Sequence, residues 1–387
     1  MWRGRVDKFQ EKLRHRGLSA AIVSATRDIY YLAGTAQQSW LIVPAEGEPT
    51  LLIIRDFERG RAESQLPDIR EIKSPSAIRD VIIEKRLAKH GIGITEDVAP
   101  ASFVRRMAQL LPEAEFVDVS LDLRRVRMVK DDEEIARIRK AAEIADWGHK
   151  MAVERLRAGI SELEASAEIE LELVRHGHDG YLFTRNLGEA VRQSGVYAGP
   201  SLYVRGGLAI SIPGAGSTPL LGYGPSRRII EVGDTIVLDL VGSYMGYLCD
   251  EARTYAIGKA SDGQNDIVEA LKYIIHETMP NFRPGVSAAE VYSAAVRAAG
   301  QTRYADFLMG PKARNIKFVG HGVGIELDEL PVLTPSDNTL LEPGMVIAFE
   351  PIIVVPEVGA STLENTILIT QSGHEVLCTR PVDMLVL

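Results

Sequence analysis

The chain begins with helical spacing in "VDKFQEKLRHRGL" (6–18), followed by "SAAIVSA", an apolar run that reads as a buried strand. "SWLIVPAEGEPTLLII" has two apolar runs around Glu46-Gly47 and predicts a hairpin turning there. "GIGITED", a helix over "ASFVRRMAQLLP" and the strand "EFVDVS" continue the alternation. Residues 1–125 therefore predict an α/β domain.

The pattern then changes. In "RMVKDDEEIARIRKAAEIADWGHKMAVERLRAG" acids crowd the start, and Ile135, Ile138, Ala142 and Ala145 recur at helical spacing, which predicts a long helix opening a second domain over 126–387. A second helix starts at Ser161, where Glu164 three residues later completes a capping-box pattern. This domain contains an echo. "IIEVGDTIVLDLVG" (229–242) and "LLEPGMVIAFEPII" (340–353) each read Glu-x-Gly, five residues, then a carboxylate, Asp239 or Glu350. Helical stretches precede each copy, so the expected architecture is a pseudo-symmetric α+β domain made of two related halves.

Composition narrows the function. A chain of 387 residues is long enough for two domains with sizeable cores. A formal charge of -9 argues against nucleic acid as a partner. The apolar runs fall short of the roughly 20 residues of a membrane span, and the charged N-terminus has no signal-peptide core. Cys249 and Cys378 alone make no disulfide framework, so a cytoplasmic setting is expected.

Strand-like segments hold carboxylates that are costly to bury unless paired or bound to a cation. Asp239 lies in "TIVLDLVG", Asp250 in "GYLCDEARTYAIG", Glu350 ends "MVIAFE" and Glu364 lies in "STLENTILIT". His321, between glycines in "GHGVG", adds an imidazole. Asp239 and Asp250 are placed so that a hairpin sets both on one face, and alternation sends Cys249 to the other. Four carboxylates and one imidazole form a hard donor set, and their charge exceeds what one divalent ion needs. Two ions are expected, manganese first, with cobalt, iron or zinc as alternatives.

These segments resemble the five-ligand signature of the pita-bread metallopeptidase superfamily, which includes methionine aminopeptidases, prolidases, aminopeptidase P and creatinase. The stretch "LSAAIVSATRDIYYLAGTAQQSWLIVP" is similar to the prolidase and creatinase N-terminal domain, so the resemblance spans nearly the whole chain. It implies that Asp239, Asp250, His321, Glu350 and Glu364 are metal ligands and that a metal-bridged hydroxide attacks the scissile carbonyl while Glu350 shuttles the proton. It further implies cleavage of the bond before proline in short peptides, by a homodimer.

The pattern breaks at two positions. The group's peptidases usually have a histidine seven residues after the ligand histidine; here Asp328 stands there. Another histidine usually precedes the first metal aspartate, and its position falls at Gly222. Asp328 can take a substrate amine or act as a base, but as a carboxylate it does not donate; Tyr223 could supply a donor. Arg192 and Arg205 are candidates for holding a substrate carboxylate, or are surface arginines. His176 and His178 suggest a metal but read more simply as a solvated turn. Three functions stay open: an Xaa-Pro peptidase, a non-peptidase hydrolase or lyase acting on a small amide, guanidino or onium compound, and a binding protein with a dead site.

Overall fold

The computed structural model describes residues 2–185, 191–204, 212–311 and 315–387. They form two compact units, Met1–Arg127 and Met128–Leu387.

In the first unit the expected α/β pattern is present. Helix α1 (Trp2–His15) buries Val6, Phe9 and Leu13, and α2 (Thr26–Ala33) buries Ile29, Tyr31 and Leu32. The strands are β1 (Ala20–Val23), β2 (Ser39–Pro44), β3 (Thr50–Ile53), β4 (Asp68–Glu71), β5 (Ile92–Ile94) and β6 (Phe116–Asp118). They form one sheet in the order β4-β3-β2-β1-β5-β6. β2 and β3 are the hairpin about Gly47. Helices α3 (Phe57–Glu63), α4 (Ser76–Glu84), α5 (Ala101–Leu110) and α6 (Ser120–Met128) complete the element order. Of these only α5 is anticipated from sequence, although α4 carries Ile78, Val81 and Ile82 at helical spacing; α3 is seven residues of mostly polar chain that buries only Gly60.

The second unit is built twice. The first half has α7 (Asp132–Arg155), α8 (Glu162–Arg175), β7 (Ser194–Ala198), β8 (Thr235–Tyr244) and β9 (Tyr247–Ala256). The second has α9 (Asp262–Thr278), α10 (Ala288–Ala299) and the strands β10 (Gly320–Gly322), β11 (Glu329–Val332), β12 (Val346–Phe349), β13 (Ile352–Val355), β14 (Gly359–Thr362), β15 (Asn365–Ile369), β16 (His374–Val376) and β17 (Leu385–Val386). One sheet runs β17-β9-β8-β7 and the other β11-β10-β12-β15-β16, with β13-β14 a separate ribbon. All four long helices start with a complete capping box, from Asp131, Ser161, Ser261 and Ser287.

The echo extends to individual hydrogen bonds. Ser161 bridges Ile229 as Ser287 bridges Leu340. Gly159 donates to Ile230 O and Gly285 to Leu341 O, both at 2.9 Å. Gly233 and Gly344 occupy the matching turn position with φ of 96° and 93°. A further repeat, "RAGIS" (157–161) and "RPGVS" (283–287), supplies the helix-starting partners of these bonds. This second repeat was also legible in the sequence, at the helix starts rather than at the carboxylates.

The strand that carries Asp239 packs tightly on α7. A methyl group on Gly242 would come within 2.0 Å of the Ala141 carbonyl oxygen, with no flexible side chain to yield. Gly242→Ala is therefore expected to destabilise the protein by at least about 2 kcal/mol in urea unfolding. Gly4→Ala, which adds a methyl group in open space on α1, serves as the control and should be neutral or slightly stabilising.

Candidate metal centre

β8 and β9 form a hairpin in which Val241 faces Asp250 and Asp239 faces Ala252. Directly opposed residues and residues two apart share a face, so Asp239 and Asp250 are diagonal neighbours. The turn is Met245-Gly246, both at positive φ (48° and 78°), which a two-residue hairpin of this kind requires. Methionine is a poor residue for that conformation, and Asp179 supports it by accepting from Met245 N (3.2 Å), Gly246 N (2.7 Å) and the Ser243 hydroxyl (2.7 Å). Cys249 pairs with Gly242 on the opposite face, its sulfur 3.9 Å from that of Cys378.

His321 sits at the centre of β10, between β11 and β12. Its flanking glycines are steric necessities, since a Cβ at Gly320 would meet Ala348 O at 2.2 Å and one at Gly322 would meet Leu330 O at 2.1 Å. Nδ1 lies 3.1 Å from Gly322 O, to which it donates, leaving Nε2 directed at Asp250 (3.7 Å) and Glu350 (3.5 Å). Glu350 follows β12 and Glu364 precedes β15. They stand one step beyond the last paired residues of that ladder, Phe349 and Asn365.

Two residues that sequence reasoning missed join the halves. Thr366 Oγ1 accepts from Asp250 N (2.9 Å) and donates to Asp250 O (2.8 Å). Arg253 donates to the carbonyls of Glu364, Pro381 and Arg380 and to Asn365 Oδ1. Both lie inside quoted motifs, "DEART" and "LENT", but only the fold shows what they bond. Glu364 N also donates to Ala252 O, 3.0 Å away, beside Asp239.

All five residues line one cavity of about 550 Å³. Burial, then repulsion from Asp250 and Glu350, raises the Asp239 carboxyl well above its usual range. Burial, then Asp250 and Glu350, does the same for Glu364. Burial lifts Asp250 to about 7 against the pull of His321. His321 reaches about 9 because Glu350 and Asp250 outweigh its own desolvation. Asp250 Oδ1 and Glu364 Oε1 are buried with no hydrogen-bond partner. Ligand atoms of Asp250, His321 and Glu364 all lie within 4.8 Å of one another. Unpaired buried carboxylate oxygens around one imidazole fit a divalent cation, which would supply the missing countercharge.

The remaining candidates occupy varied places. Asp328 lines the cavity and accepts from Arg185 N at 2.9 Å; burial raises its carboxyl, opposed by that amide. Tyr223 also lines it, whereas Gly222 is exposed. Arg192 is on the lining too, with its guanidinium paired to Glu170 of α8. Arg205 lies outside the described residues. His176 stacks on Trp147 and bonds Glu172 O. His178 is not on the solvated turn expected of it: it is buried, with Nε2 on Val241 O and Nδ1 accepting from Gly180 N, so neither nitrogen is left for a metal. Tyr197 of β7 is a lining residue the sequence did not single out, because "SGVYA" is a strand of only five residues that opens on Ser-Gly.

Residues 136–371 match metallopeptidase family M24, and residues 5–129 match the creatinase/prolidase N-terminal domain. The chain is 27% identical over 375 residues to an Xaa-Pro dipeptidase of Pyrococcus horikoshii, covering 96% of each. It is 26% identical over 396 residues to a putative dipeptidase of Bacillus subtilis, covering 99% of each. Among solved structures, it matches the prolidase from Pyrococcus horikoshii with a TM-score of 0.80 at 25% identity, over 98% of this chain and 99% of that one. The TM-score to an Xaa-Pro dipeptidase from Bacillus anthracis is 0.84 at 22% identity, over 100% of both chains, a likeness of fold alone.

The raised carboxyls give a signed expectation. A group whose folded pKa exceeds its unfolded value contributes stability below the unfolded pKa and loses it as pH rises through the folded one. Asp250 (about 7) and His321 (about 9) thus make the metal-free protein less stable as pH rises from 6 to 9. Bound cations remove that cost and displace protons. The rise in melting temperature on adding Mn²⁺ should therefore be larger at pH 8.5 than at pH 6.5. Equal rises at both would contradict this account.

Proposed function

The chain belongs to metallopeptidase family M24 and is a metal-dependent hydrolase; on that premise we propose that it cleaves Xaa-Pro bonds of short peptides. The observation that carries this reading is that Asp239, Asp250, His321, Glu350 and Glu364 line one cavity, from strands and strand ends contributed by both halves. The proposed ion number is two, from the charge of four carboxylates, and manganese suits the oxygen-rich set. Bound there, the ions would polarise the scissile carbonyl and lower the pKa of the attacking water.

The chain's own residues do the rest. His321 is fixed by its Nδ1 bond to Gly322 O, so Nε2 keeps one direction. Thr366 and Arg253 hold Asp250 and Glu364 in register, which keeps the donor atoms preorganised. Glu350, at the end of β12 and reaching His321, is the group we assign to carry the proton from nucleophile to leaving nitrogen. Val241, Phe318 and Leu327 supply apolar walls that suit a proline ring. The expected homodimer and cytoplasmic setting remain part of this reading, tested by sedimentation and cell fractionation.

One observation favours the non-peptidase reading: among the described residues His321 is the cavity's only histidine. With Asp328 and Gly222 where the resemblance expects imidazoles, a small amide is the substrate to try next.

The Mn²⁺-loaded protein should hydrolyse Ala-Pro and lose that activity on chelation. Glu350→Gln should lower kcat at least 100-fold. A metal-loaded protein inert toward a panel of Xaa-Pro dipeptides yet active on small amides would replace the peptidase reading with the second one.

A further inference from the structure

Outside the five-residue cluster, the charged residues on the described lining of the cavity are Arg192 and Asp328. Arg192 is neutralised by Glu170. The four carboxylates of the cluster would offset two divalent cations, which makes Asp328 the charge left over among the described lining residues. Its position is set by backbone rather than by a cation: Oδ1 accepts from Arg185 N at 2.9 Å, while the Arg185 guanidinium turns to buried Glu326 at 3.5 Å. Among the described residues no lysine or arginine side chain pairs with Asp328. It is half-buried, beside Leu327 and near enough to His321 for their charges to interact.

An anion held at the wall of a largely apolar cavity, with no lysine or arginine paired to it among the described residues, is costly unless the ligand brings a countercharge. We propose that Asp328 is the cation subsite of this enzyme and selects substrates that carry a protonated amine close to the bond to be hydrolysed. The free amino terminus of a short peptide is the simplest such group. This rests on the peptidase reading for the reaction but not for the subsite, because a small cationic amide would use the same carboxylate. Asp328 is then a specificity-determining residue. The plainer reading, a loop tie through Arg185 N, is separable, because asparagine keeps the acceptor oxygen and loses only the charge.

The test uses two non-hydrolysable ketomethylene analogues of Ala-Pro, one with an amine and one with a hydroxyl at the first carbon. Each is titrated calorimetrically into the Mn²⁺-loaded protein. The expected result is at least ten-fold tighter binding of the amine by the wild type. In Asp328→Asn that preference should vanish, with metal content and affinity for the hydroxyl analogue unchanged, and Asp328→Glu should restore part of it. A wild type without preference, a variant that keeps it, equal weakening of both analogues, or loss of metal in the variant would each overturn the proposal. Turnover of Ala-Pro and lactoyl-proline is measured separately. If neither is cleaved while the binding preference stands, the peptidase reading fails and the subsite survives.

Discussion

Four carboxylates taken out of water within reach of one imidazole are the constraint on which the second unit depends. Asp239, Asp250 and Glu364 are each raised first by burial, and Asp239 and Glu364 next by repulsion from Asp250. No set of hydrogen bonds removes that cost here, because oxygens of Asp250 and Glu364 are buried without partners. Such a cluster either holds protons or takes a positive countercharge, and His321 supplies one charge at most. Divalent cations would bring that charge without needing further side chains.

Duplication explains how the cluster is assembled. Each half ends its helix pair with a glycine turn, Gly233 or Gly344, leading into a strand, and the eleventh position of each echo is Asp239 or Glu350. The partner strands then provide Asp250 and Glu364. Arg253 and Thr366 join β9 of one half to the start of β15 in the other through side chain-to-backbone bonds. A slip of one residue in either ladder would turn a carboxylate to the opposite face. Gly242 lets α7 approach β8, and Gly320 and Gly322 let the histidine strand lie between its neighbours, so the same close packing that builds the core also fixes the donors.

Much of this was legible because charge inside an apolar strand run is rare enough to notice. The five residues came from that contrast, the two-unit organisation from the change of pattern near residue 126, and the internal echo from the repeated Glu-x-Gly spacing. Other features have no such mark. Thr366 is an ordinary threonine until the fold sets it against Asp250, and Asp179 lies 66 residues from the turn it supports. His178 looked like part of a polar turn because "HGHDG" is rich in glycine, whereas its ring is buried against β8. Whether Arg192 is free could not be read at all, since its partner Glu170 is 22 positions away on α8.

The central physical claim is that these five side chains were brought together to hold a pair of cations. Anomalous diffraction at the manganese edge, from crystals grown with Mn²⁺, tests it most directly. The account expects two peaks per chain, both enclosed by Asp239, Asp250, His321, Glu350 and Glu364. A single peak, or none at these side chains, would contradict it.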